Sequence, residues 1–156
     1  MRTRILNCQT PEARKEYRNA LNFWAEKLIG GQTSKDITVT VRFVDGLKRK
    51  DKMLADIGHK GKRCFDIRIE KKLTHKKTMM ALAHEFTHLK QYANGELKEK
   101  KKNGKWITNW INESYVEDDI QYYDRPWEIE AFGREQGLYF QWLRFKKSMN
   151  QYGKLL

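Results

Sequence analysis

At 156 residues the chain has the length of one domain, residues 1–156, and its 39% hydrophobic residues, with five Trp, seven Tyr and seven Phe, can fill a core despite 33% charged residues. No run approaches transmembrane length, and Met1 to Arg18 is too charged for a secretory leader, so neither a membrane protein nor a secreted one is expected. The net charge of +12 suits a polyanionic partner or simply solubility, and Cys8 and Cys64 form no C-x-x-C pattern, which leaves a cytoplasmic protein with reduced thiols and no cysteine-based zinc site as the expectation.

In chain order, Thr10-Pro11-Glu12 predicts a helix start, with Thr10 as N-cap, running to about Ile29 and ended by Gly30-Gly31. Asp36 to Asp45 alternates Ile37, Val39, Val41 and Phe43 with Thr38, Thr40 and Arg42, the clearest strand in the chain. A basic turn from Gly46 to Lys52, a short strand from Met53 to Ile57, a hairpin turn at His59-Lys60-Gly61-Lys62 and a second alternating strand from Arg63 to Glu70 follow. Helix first, then a small, mostly antiparallel sheet of hairpins, is the expected order.

Thr74 opens a central helix that Gly95 closes. At 100° per residue, Met79, Leu82, Phe86, Leu89 and Ala93 cluster opposite His84. Residues 96 to 105, with five lysines around Asn103-Gly104, read as a solvated loop, and 106 to 123 receive no assignment. Asp124-Arg125-Pro126 starts a long helix reaching about Met149, in which Gly133 and Gly137 suggest a close approach.

Within the central helix, His84-Glu85-Phe86-Thr87-His88 reads H-E-x-x-H. Two histidines one turn apart present both imidazoles to one metal ion, and the glutamate beside them can hold a water and take its proton. A catalytic zinc site needs a third protein ligand. No histidine lies downstream, so it must come from Glu96, Glu99, Glu113, Glu117, Asp118, Asp119, Asp124, Glu128, Glu130 or Glu135. On the last helix Glu128 shares a face with Ala131, Phe132, Glu135, Tyr139 and Trp142, the apolar side that must turn inward, whereas Glu130 falls among Gly133, Arg134, Gly137, Gln141 and Arg144. Glu128 is therefore preferred as third ligand, Glu130 is the alternative, and Glu135 lies where it can orient a ligand histidine.

These residues carry a resemblance. His84-Glu85-Phe86-Thr87-His88 followed by Pro126-Trp127-Glu128-Ile129-Glu130-Ala131 resembles the gluzincin class of zinc metallopeptidases, and more closely the small SprT-like or minigluzincin peptidases often encoded by bacteriophages. The likeness spans roughly residues 36 to 145. It implies a zincin-like α+β fold: an N-terminal helix, a small sheet, the active-site helix, and a long C-terminal helix bringing the third ligand. Phe132 stands where gluzincins often carry Asp or Asn, and the histidine that SprT proteins use as third ligand has no counterpart.

The implied activity is peptide-bond hydrolysis with one Zn2+ per chain and Glu85 as general base. Tyr115, Tyr122 and Tyr123 are candidate oxyanion donors, and a protein or peptide substrate would lie along the strand from Arg63 to Glu70. His59 and His75 are expected to stand outside the site. Recurrent lysines at 48–50, 60–63, 71–77 and 98–105 make nucleic acid a further candidate partner. Host cytoplasm is the expected location if the protein is phage-encoded. The competing readings are a nucleic-acid-binding protein whose zincin site is structural or vestigial, and a regulator that cleaves one partner.

Overall fold

The computed structural model describes residues 1–47, 53–61 and 63–152. Most of the expected basic turn at Gly46 to Lys52, and Lys62 of the hairpin turn, lie outside the described residues. Four helices are described, α1 (Pro11–Leu28), α2 (Gly31–Ser34), α3 (His75–Ala93) and α4 (Pro126–Tyr152). The strands are β1 (Arg2–Leu6), β2 (Thr38–Val44), β3 (Ala55–His59), β4 (Cys64–Glu70), β5 (Leu97–Lys102), β6 (Lys105–Trp110) and β7 (Glu113–Val116). They form two small sheets, and the fold is α+β.

The first sheet has the order β1-β2-β4-β3. It departs from expectation in two ways. Its β1–β2 and β2–β4 pairings are parallel and only β3–β4 is antiparallel, so it is not the mostly antiparallel sheet expected. One cause is β1, which the sequence pattern did not reveal: a short edge strand with one buried residue, Ile5, it precedes α1 and forces a helical crossover to β2. The other is that the β3–β4 hairpin sets its second strand, β4, beside β2. The strand from Arg63 to Glu70, expected to carry substrate, is internal, because β2 and β3 occupy both its edges. The free edge on that side belongs to β3.

Alternation in β2 and β4 sends Val39, Val41, Phe43, Phe65, Ile67 and Ile69 to one face, where α1, α3 and α4 cover them. The other face is polar, with Arg42 paired to Asp66 at 2.9 Å and Arg68 paired to Asp56. Trp24 of α1 lies wholly in the core, and its indole N–H donates to the Leu138 carbonyl of α4 at 3.1 Å, locking the two helices together. Thr10 caps α1 by accepting from the Ala13 N–H, and Thr74 caps α3 by accepting from that of Lys77.

After α3, Gly95 takes a left-handed φ of 74°, a conformation that glycine adopts without strain, and the chain enters β5. The expected loop at 96 to 105 is in fact a hairpin turned by Asn103-Gly104, and β5, β6 and β7 make an antiparallel second sheet. Gly133 and Gly137 meet nothing: a Cβ added at either would find no atom within 4 Å, so no close approach explains them.

Candidate metal centre

The amphipathic pattern of α3 determines where its histidines go. Met79, Leu82, Phe86 and Leu89 are fully buried in the core. His84 and His88 lie on the opposite face, and both are buried too, because α4 packs over them. From α4 comes Glu128, on the helix's first turn, with 7% of its surface exposed.

Three atoms converge. His84 Nε2 and His88 Nε2 are 3.2 Å apart, and Glu128 Oε2 lies 3.3 Å from the first and 3.4 Å from the second. Tetrahedral coordination with ligand bonds near 2.0–2.1 Å requires ligand atoms separated by ~3.3 Å. The near-equilateral triangle therefore has the spacing of one face of such a tetrahedron, and the buried group His84, His88 and Glu128 could hold a metal ion.

The surrounding hydrogen bonds fix which atoms carry protons. Gln91, fully buried, spends its amide N–H groups on the Trp127 carbonyl at 2.9 Å and on Glu130 Oε2 at 3.0 Å. Its oxygen is thereby turned towards His88 Nδ1, 2.8 Å away, so His88 must donate there. His84 Nδ1 donates likewise to Glu135 Oε2 at 3.1 Å. With both Nδ1 atoms committed as donors, the two Nε2 lone pairs face each other and a carboxylate oxygen. Three acceptors cannot share a buried point unless positive charge lies among them, as a proton or as a metal ion.

The titration shifts express the same demand. Burial alone would push the His84 imidazole down, but hydrogen bonds to Glu128 and Glu135 outweigh it and raise His84 to about 9. Burial likewise pushes His88 down, and its contact with Glu128 reverses the direction. The Glu128 carboxyl is pushed up by burial, then held far below the carboxylate range by hydrogen bonds from His84, His88 and the Tyr122 hydroxyl, the last at 2.8 Å. Glu85 is raised to about 7, mainly because it is buried, with His88 and His84 opposing.

Around these groups a cleft is lined by Met53, Leu54 and Ala55 before and at the start of β3, Lys77, Met80, Ala81, His84 and Glu85 of α3, Tyr122, Tyr123, and Phe132 and Glu135 of α4. Glu85 thus sits where the motif suggests, beside the histidines and facing the cleft. Tyr122 and Tyr123 both border it, Tyr122 bonded to Glu128 and Tyr123 packed on Phe132 at 5.7 Å between ring centroids. Tyr115 is elsewhere: its hydroxyl donates to Glu113 and its ring packs on Trp127. Glu130 is also elsewhere, bonded to Lys90 Nζ at 2.8 Å and to Arg134 Nε at 2.7 Å. His59 packs at a tilt against Tyr92 and His75 stacks on Tyr17, both outside the cluster.

The Phe132 ring meets His84 edge-on, 4.5 Å between centroids, and Glu135, three residues on, supplies the Nδ1 partner. Gln91 and Lys90 escaped the sequence reading. The available signal was a Gln three residues after His88, which puts it on the histidine's own helix face.

Fold and cluster together define an α+β chain with a candidate centre of two histidines and one carboxylate, borne on two helices. The chain matches no protein-family model, no curated protein and no solved structure.

Proposed function

We propose that this chain is a zinc-dependent metallopeptidase of zincin-like, gluzincin-type architecture. The observation that carries the reading is the triangle of His84 Nε2, His88 Nε2 and Glu128 Oε2, 3.2–3.4 Å on a side, opening on a cleft that Glu85 also lines. Two imidazoles and one carboxylate at tetrahedral spacing, three protein ligands with no fourth among the described residues, would suit Zn2+ in a catalytic rather than a closed structural site. When bound, the ion would supply Lewis acidity towards a substrate carbonyl and a water.

The chain's own residues supply the proton transfers. Glu85, with a proton affinity near neutrality, takes a proton from the attacking water and returns it to the departing amine. Its burial raises that affinity above the ordinary carboxylate value, which favours its taking and returning a proton. The Tyr122 hydroxyl, kept protonated by burial and by Glu128, can turn from that carboxylate to the developing oxyanion. Glu135 and Gln91 hold the two imidazoles in the donor-out tautomer. An extended peptide fits along the free edge of β3, with Met80 and Phe132 offering apolar contact in the cleft.

The test combines metal analysis with digestion of an unfolded-protein peptide library. Wild type should hold one zinc per chain and cleave. Glu85→Gln should keep the zinc and lose about 100-fold or more in rate. A Glu85→Gln variant as fast as wild type rejects the peptidase, and a zinc-loaded wild type that cleaves nothing in the library rejects a peptidase of broad specificity. The second result is the one a structural or vestigial site, or a regulator that cleaves one partner, would give.

A further inference from the structure

The second sheet places its lysines by register. Lys98 pairs with Asn109, Lys100 with Ile107 and Lys102 with Lys105, and across β6 Asn109 pairs with Ser114 and Ile107 with Val116. Directly paired residues share a face. One face therefore carries Lys98, Lys100, Lys102 and Lys105 with Asn109, Ser114, Ile107 and Val116, and no carboxylate. The opposite face carries Leu97 and Thr108, both buried, with Glu99, Lys101, Trp106, Trp110, Glu113 and Tyr115. It is turned to the protein where Tyr115 meets Trp127, and at the hairpin end Trp106 is half exposed beneath Lys101. All four lysines of the outer face are exposed.

Two further features set this face apart from an ordinary solvated surface. Lys102 and Lys105 sit directly opposite each other at the hairpin end, a like-charge pair that weakens the hairpin. In addition, β7 covers β6 only from Ile107 to Trp110, so the end of the hairpin, Lys101 to Trp106, projects as a two-stranded ribbon.

We infer that this face is a docking surface for duplex DNA, gripping its phosphate backbone. Lysines two apart on a strand are ~6.7 Å apart, close to the separation of successive phosphates on a nucleic-acid strand. The major groove of B-DNA is wide enough to admit the projecting two-stranded ribbon between its phosphate walls, whereas that of A-form RNA is too deep and narrow to do so. The lysine face itself has no aromatic side chain on which unpaired bases could stack, the exposed Trp106 lying beneath Lys101 on the other face, which argues against single strands. Its two apolar residues, Ile107 and Val116, are half-buried, which leaves nothing to insert into a lipid surface. Contact is through charge alone, so binding is independent of base sequence and steeply dependent on salt.

The surface is independent of the metal centre, and the full chain is the material for the test. Fluorescence anisotropy with a labelled mixed-sequence duplex DNA of about 20 bp should show log K falling with log salt with a slope of about −3 to −4, on the order of 100-fold between 50 and 200 mM. Reversing the face (K98E, K100E, K102E and K105E together) should flatten that slope. Reversing four exposed lysines elsewhere (K15E, K35E, K72E and K147E together) gives the same net charge and should leave the slope within about one unit. Lys100→Gln and Lys102→Gln singly, which hardly perturb folding, should each lower the slope by about one. The inference is overturned if wild type does not bind the duplex at 50 mM salt, or if the single variants leave the slope unchanged. Equal losses from the two quadruple variants overturn it as well, as does tighter binding to duplex RNA of the same sequence or to vesicles containing phosphatidylserine.

Discussion

Glu128 and Glu130 are two residues apart on α4 and both face α3, yet their surroundings are opposite. Glu130 is neutralised from within the chain by Lys90, itself buried, and by Arg134, with Gln91 as a third partner. Glu128 meets two imidazoles and a phenol, none of which carries a permanent charge. One interface thus holds a finished ion pair and, beside it, a carboxylate whose partner is a proton or an ion. The finished pair also serves the unfinished one, since Glu130 orients Gln91 and Gln91 orients His88.

The largest expected effect separates the two carboxylates by metal affinity. Glu128→Ala should weaken zinc binding by well over ~100-fold, while Glu130→Ala, acting through Gln91, should cost only about 10-fold, both read by competition with a chromophoric chelator. The reverse order would exchange their roles. A smaller effect separates them by stability. In metal-free protein, Glu130→Ala should lower the urea-derived unfolding free energy by ~1–3 kcal/mol, because Lys90 and Gln91 each lose an acceptor: Lys90 keeps Glu96, and Gln91 keeps only the Trp127 carbonyl for its two amide N–H groups.

The subtlest expected effect lies in pH dependence, where His84 and Glu85 act at the alkaline end and Glu128 and Glu130, both lowered, act at the acid end. His84 is raised in the fold to about 9, so its contribution to metal-free stability is complete below its ordinary value of 6.5 and is lost as pH rises through about 9. Glu85, an acid raised to about 7, adds a loss of the same sign as pH rises from 4.5 through 7. Burial pushes the Glu130 carboxyl up, but hydrogen bonds from Lys90, Gln91 and Arg134 leave it lowered. Its contribution is therefore present above 4.5 and lost as pH falls below that. Thermal unfolding across pH should show both limbs in metal-free protein, and saturating zinc should abolish the alkaline limb alone, since an ion on the Nε2 atoms replaces the proton. A decline at alkaline pH that zinc leaves intact would detach it from His84.

What the sequence made legible followed from periodicity and caps. The stripe of α3, its Thr74 cap, the alternation of β2 and the start of α4 at Pro126 are local signals, and all recur in the structure. The helical-wheel contrast holds in part: Ala131, Tyr139 and Trp142 turn inward with Glu128, but Phe132 is exposed, and Glu130, expected on the polar side, also meets α3 through Lys90 and Gln91. Strand pairing was not legible. β1 contributes a single buried side chain, and β5 is Leu-Lys-Glu-Lys-Lys-Lys, held by its neighbours' backbones rather than by a core, so neither shows an apolar pattern. Parallel register is a long-range property that no local window encodes. The hydrogen-bonding route from Lys90 through Glu130 and Gln91 to His88 joins two helices, and sequence spacing shows only its α3 half.

His84 and Glu128 are 44 positions apart, and everything between them after α3, including the whole second sheet, is chain that leaves one helix and returns to the other. Joining the two residues through one ion closes that length into a ring. The entropy of the unfolded chain falls by an amount that grows only slowly with ring size, so a long, sheet-bearing insert can be spanned at little more cost than a short one. With an ion bound, the lysine-faced ribbon would be a lobe on a closed circuit, its two ends pinned together.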